Sequence, residues 1–359
     1  MQLAAENVAK YEAEAPELLA SVVSGEATYV MKRDPATEAC VKLEQGWCGI
    51  HRDYGAAMLG DACYFFPRIT RSIGDTIVTT AALSCPESAR LMLLEADGFN
   101  WQPREPGRLP YAMRQYLPAG MEEADALTLH NQWLAEAANP AYGAETNLMR
   151  LSTVMQALAL QPVTQWAAAS GFYFRIAAER VPAAEAAAAD PFNLTHALQG
   201  LVAVSTQAKR PRLRQTIDTM AEMLGISFHG SGIMLADDAA QRFLTVQHHW
   251  RTVAAAPLQP VLLRYLQAQV SIALLPFGGL GTTFTERMAI IGVRFATVKL
   301  ALMAAAAKAG GVLAEQEIIR VVQSLSRFLD HLADPELSLK IYHEAGWMRE
   351  ARLHALVMA

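Results

Sequence analysis

Several things this sequence lacks narrow what it can be. It has only four cysteines in 359 residues, too few to staple a chain of this size with disulfides. No charge dominates: 30 Lys and Arg face 35 Asp and Glu, a net charge of −5, so the overall balance supplies no basic sheath for nucleic acid. The first residues, Met1-Gln-Leu-Ala-Ala-Glu, lack the basic start and apolar run of a secretory signal, and a cytoplasmic location is expected. No long apolar run is free of charge. The nearest, Met288–Ala307, contains Arg294 and Lys299, each costing roughly 2.5–3.5 kcal/mol at a bilayer centre, so it reads as a buried or half-buried helix. Alternating Val/Ile/Thr runs are scarce, which argues against a large sheet. There is no HExxH. The only dense glycine run, Gly278-Gly-Leu-Gly281, follows an apolar helix and not a strand, so it reads as a loop break and not a dinucleotide cradle.

What is present is hydrophobic and helical. Apolar residues make up 52% of the chain and charged residues 18%, enough to bury a core. Residues 1–25 look helical. From about residue 120 onward, apolar positions recur at i, i+3, i+4 over Glu122–Ala138, Leu148–Ala159, Gln161–Glu179, Arg214–Leu224, Ala239–Val253, Val261–Leu275, Thr285–Lys308 and Glu315–Ala333. Breaks are expected at Asn139-Pro140, Val181-Pro182, Asp190-Pro191, Pro257, Pro260, Pro276 to Gly281 and Gly310-Gly311. Ala183–Ala189 is helix-prone compositional bias. The expected fold is mostly α: a small irregular Cys-rich module followed by a multi-helix bundle. The expected divisions are 1–100 (an N-terminal helix plus the cysteine module), a Pro-rich connector over 101–119, and an α-helical domain over 120–359.

The cysteines carry the sharpest chemical signal. Cys40, Cys48, Cys63 and Cys85 are spaced C-x7-C-x14-C-x21-C, with none in the rest of the chain. Free cysteine is often just a small buried hydrophobe, but that predicts scatter. Clustered thiolates in a reducing compartment suit zinc, iron or an iron–sulfur cluster. The surroundings are Trp47-Cys48-Gly-Ile-His51, Tyr54-Gly-Ala-Ala-Met-Leu59, Cys63-Tyr-Phe-Phe-Pro67-Arg68 and Ser84-Cys85-Pro86-Glu87-Ser-Ala-Arg90-Leu91. This run resembles the flagellin lysine-N-methylase family, whose module runs CPFL, LCxIH, a Gly-x-x-x-Leu helix, CRxYPR and SCPExARL. It is related to the cysteine-rich zinc- or iron-chelating proteins. Arg264-Tyr-Leu-Gln with Leu274-Leu-Pro-Phe-Gly278 is similar to the family's NYL…LFPF segment. Met288–Ala304 and Ile318–Ser326 through Asp330-His331 are similar to its last helices. The resemblance spans residues 30 to 345. Two departures stand out: a family block CxxxCxDxCCxGW is absent, and Cys40 is followed by Val-Lys-Leu where the family has Pro-Phe-Leu.

The resemblance implies methyl transfer from S-adenosylmethionine to lysine ε-amines on flagellin as protein substrate, with an iron–sulfur cluster on Cys40, Cys48, Cys63 and Cys85. A non-catalytic zinc- or iron-stapled interaction protein is the alternative. The sulfonium of the donor favours aromatic faces, which makes Tyr64, Phe65 and Phe66 candidates, although a trio beside a proline also suits core packing. Arg68 could balance cluster charge or pair with an acid. Asp330-His331 could be a base with an orienting carboxylate, or a solvent-facing pair at a helix end. The adjacent His248-His249 point about 100° apart on a helix and cannot easily share one metal. Lys209-Arg-Pro-Arg-Leu-Arg214 reads as a solvated loop or a contact for an acidic partner.

Overall fold

The computed structural model describes residues 2–25, 29–35, 40–45, 47–103, 105, 107–110, 113–180, 211–229, 232–279, 281–330 and 335–358. Helix makes up 65% of the structure, and strands form only small sheets. The mostly α expectation is met. The chain folds as two compact units, one of residues 1–70 with 106–113 and one of residues 71–105 with 114–359.

In the first unit a three-stranded antiparallel sheet, β1 (Gln2–Leu3), β3 (Tyr29–Met31) and β2 (Val22–Ser24), accompanies helix α1 (Ala5–Glu14) and a 3₁₀ turn (Pro16–Ser21). The all-helical reading of residues 1–25 is therefore corrected. Pro16 ends α1, because its ring fixes φ and removes a donor. A hairpin of β4 (Leu43–Glu44) and β5 (Trp47–Cys48) leads into the short helices α2 (Gly49–Tyr54) and α3 (Asp61–Phe65). Leu3, Val8, Tyr11, Leu18, Met31, Ile50, Met58 and Leu59 close a small core.

The second unit is the helical body. After β6 (Arg68–Ile73) and β7 (Thr76–Ala81) come α4 (Pro86–Leu94), α5 (Glu123–Ala137), α6 (Ala144–Ala159), α7 (Trp166–Arg180), α8 (Pro211–Leu224), a β8–β9 hairpin (Ile226–His229, Gly232–Leu235) and α9 (Ala239–His249). A π-helical turn (Trp250–Ala254) joins α9 to α10 (Ala255–Ala273), followed by α11 (Phe284–Ala309), α12 (Glu315–Leu329), α13 (Pro335–Glu344) and α14 (Glu350–Met358). The eight expected helical segments after residue 120 are all present. The expected breaks at Pro257 and Pro260 are not: both lie inside α10. Pro257 follows directly on the π turn, where the hydrogen-bond ladder has already shifted, and burial along α10 outweighs the roughly 3 kcal/mol that an interior proline costs. The expected breaks at Val181-Pro182 and Asp190-Pro191, and Ala183–Ala189, lie outside the described residues.

Helix α11 is the spine of this unit. Thr283 and Glu286 cap its start reciprocally, and Gly310 (φ +67°) ends it. It is long and apolar enough to cross a membrane, but its apolar window is buried by the unit's own helices. Its two interior cations meet acids: Arg294 reaches Asp330 (3.2 Å) and Lys299 reaches Glu145 (3.0 Å). Helix α12 packs on α4, α8 and α11 and buries Ile318, Val321, Val322, Leu325, Phe328 and Leu329, a one-faced i, i+3, i+4, i+7 stripe. Gly292 lets α14 approach, since a Cβ there would lie 2.6 Å from Leu353 Cδ1.

The division between units falls earlier than the sequence divisions suggest. Helix α4 belongs to the helical body because Arg264 donates to Leu93 O (3.0 Å) and Gln323 to Ser84 O (2.9 Å). The Pro-rich stretch is shared out: Arg108 bonds Asp61 in the first unit, while Ser72 N donates to Arg114 O (3.1 Å) in the second.

Candidate functional site

Three of the four cysteines gather in the first unit. Cys40 forms an isolated antiparallel bridge with Arg33, Cys48 ends β5 as the N-cap of α2, and Cys63 sits on α3. All three are half-buried and pack on the same small core, beside Tyr11 of α1. Tyr11 is 1% exposed and donates to Met58 O (3.0 Å). Burial, then the charges of Cys63, Cys48 and Cys40, push its phenol up to about 12. The Cys63 thiol is also raised, first by burial and then by Cys48 and Cys40. Soft thiolates in this setting suit iron or zinc. The sulfurs share a neighbourhood without standing at ligation spacing: among the described residues, no group of three or more His, Cys, Asp or Glu side chains is placed to hold an ion.

Cys85 is the N-cap of α4 in the helical unit.

The aromatic trio beside Cys63 is divided. Tyr64 and Phe65 pack edge to face, with centroids 5.1 Å apart, whereas Phe66 is exposed. The Arg108 guanidinium lies over both rings, 5.2 and 5.9 Å from their centroids, so the cation these faces meet is the chain's own. Arg68 is exposed and donates to Tyr64 O (3.1 Å), with no acid partner among the described residues. Sequence reasoning took Tyr11 as one apolar residue among several and did not single out Arg108. Neither carries a motif, since each acquires its neighbours only through folding.

In the helical unit Asp330 is held by Arg294 and is not solvent-facing. His331 lies outside the described residues. His248 and His249 end α9, just before the π turn. Gly278, Gly279 and Gly281 lie between α10 and α11, as expected of a loop break, with Gly279 and Gly281 at positive φ. Lys209 and Arg210 lie outside the described residues. Arg214 pairs with Asp218 (2.9 Å) on α8.

The helical unit is also where comparison with known proteins speaks. Residues 177–342 match the model of the FliB lysine N-methylase C-terminal domain. This segment of the chain is therefore similar to a flagellin lysine N-methylase domain. The FliB match begins well after the last cysteine, so it bears on the helices and not on the thiols. Neither the curated proteins nor the solved structures include a match to the chain.

Proposed function

We propose that this FliB-like protein transfers methyl groups from S-adenosylmethionine to lysine ε-amines of flagellin in the cytoplasm, with an iron–sulfur centre carried by Cys40, Cys48 and Cys63. The observation that carries the reading is the match of residues 177–342 to the lysine N-methylase domain. The cysteine cluster around Tyr11 supports the second part.

The chemistry is a displacement. The neutral lysine nitrogen attacks the donor methyl carbon as its bond to sulfur breaks, S-adenosylhomocysteine leaves, and the amine's extra proton passes to a base or to water. A free lysine amine, with a pKa near 10.4, is charged at neutral pH. Desolvation or a neighbouring cation must therefore release its proton before attack. With Asp330 committed to Arg294, any base role at this helix end falls to the adjacent His331. A bound cluster would be held by the Cys40, Cys48 and Cys63 thiolates, its iron ions stabilising their deprotonated forms.

The test is direct. Protein purified anaerobically should methylate lysines of its own organism's flagellin when given S-adenosylmethionine, read by mass spectrometry. His331→Ala should lower that rate by about 10²–10⁴-fold with the fold intact. Flagellin methylation that is unchanged in a strain lacking this protein, together with no transfer in vitro, would favour a metal-stapled interaction protein without chemistry.

A further inference from the structure

Buried cations in the helical unit normally come with carboxylates. Arg150 has Glu136 (2.8 Å), Arg294 has Asp330, and Lys299 has Glu145. Arg71 and Arg287 break the pattern. Both are partly buried, and that burial pulls both guanidiniums down from their ordinary value. The opposing influence on each is the Tyr116 phenol, and among the described residues no carboxylate acts on either. Arg114 adds a further positive charge next to Arg71.

The backbone explains how these groups meet. Tyr116 N donates to Ser72 O (3.0 Å), which sets the 114–116 segment along β6 and places the Arg71 guanidinium 5.7 Å from the centre of the Tyr116 ring. On the other side, three consecutive carbonyls of the turn after α10 act as a rack. Leu275 O accepts from His130 Nδ1 (2.7 Å), while Pro276 O (3.4 Å) and Phe277 O (3.2 Å) accept from Arg287 Nη1. Gly278 finishes the turn: a Cβ there would lie 2.3 Å from Ala273 O and 3.0 Å from Tyr116 Cε1.

Two polar atoms remain without partners. Arg71 Nη1 is buried and unbonded. His130 is 2% exposed, and because its Nδ1–H is spent on Leu275 O, its Nε2 carries a bare lone pair, also buried and unbonded. Burial, reinforced by the Arg71 charge, keeps this imidazole neutral. A buried donor and a buried acceptor left unmade each cost free energy. The missing partner therefore carries negative charge for the guanidiniums and an N–H for the imidazole.

We propose that Arg71, Arg287 and His130, gathered around Tyr116 by the Leu275–Gly278 turn, form a binding site for an α-amino carboxylate. Its carboxylate lies against the guanidiniums and its ammonium donates to His130 Nε2. Resting on the function proposed above, the ligand is the methionyl end of S-adenosylmethionine.

Calorimetry on the full chain with S-adenosylhomocysteine and with 5′-methylthioadenosine, which lacks the aminocarboxylate, tests this. Arg71→Met should weaken S-adenosylhomocysteine by about 10- to 100-fold, the loss of a charge-assisted contact, and leave methylthioadenosine unchanged. Arg71→Lys should recover part of the loss. Because Arg71 has no acid partner, the unliganded Arg71→Met protein should melt no earlier than wild type, whereas a structural role predicts earlier melting. Equal S-adenosylhomocysteine affinity in wild type and Arg71→Met overturns this site and leaves the methylase reading standing. Failure of wild type to bind S-adenosylhomocysteine at all overturns both.

Discussion

Lys299 offers the sharpest test of how the helical unit is held together. Its ammonium is buried on α11 and bonds Glu145 (3.0 Å) and Val357 O (3.1 Å), while Gln259 adds a weaker contact to Glu145 (3.3 Å). Lys299→Met should leave a carboxylate buried with only Gln259 beside it, at a cost of about 3–5 kcal/mol. Replacing both partners, Lys299→Met with Glu145→Leu, removes the stranded charge and should recover to within about 1–2 kcal/mol of wild type. Burial alone would raise the Glu145 carboxyl, but Lys299 and the hydrogen bonds outweigh it, and the net value is below the ordinary 4.5. A carboxyl lowered by folding contributes stability that is present above its unfolded value and lost as pH falls through the folded one. The difference between wild type and Lys299→Met should therefore be largest near neutral pH and shrink below about pH 4.5, where the carboxyl is protonated in the unfolded chain. Urea unfolding followed through the buried Trp133 and Trp347 gives the midpoints. A single variant within 1 kcal/mol of wild type, or a double variant as damaged as the single one, would refute the reasoning.

Two further outcomes are expected. Alanine at Cys40, Cys48 or Cys63 should strip iron or zinc from anaerobically purified protein, measured by elemental analysis. Cys85→Ala, in the helical unit, should retain it; metal loss from Cys85→Ala alone would reverse the assignment. Glu286, whose carboxyl is lowered to about 2 chiefly by the Thr283 and Thr282 groups it caps, should stabilise α11 above about pH 4.5 and cease to do so as pH falls toward 2. Glu286→Gln should accordingly cost about 0.5–2 kcal/mol at neutral pH, a difference that fades in acid; a deficit independent of pH would refute the capping role.

By itself the sequence determined most of the helices described after residue 120, though not the β8–β9 hairpin or the passage of α10 through Pro257 and Pro260. The stripe Ile318, Val321, Val322, Leu325 can face a core only as a helix, and Arg294 and Lys299 inside an apolar run must reach water or an acid. The clustering of cysteines was equally legible, because spacing is a property of the chain. Which acids answer which cations was not, and neither was the placement of Cys85 in the helical unit while the other three thiols pack on the first unit's core. The same holds for the approach of His130 to Leu275, 145 positions away, and of Gln323 to Ser84, 239 positions away. Periodicity records which face of a helix avoids water, a local preference repeated every turn. Partner choice depends on how separate helices pack, and only the tertiary structure decides it.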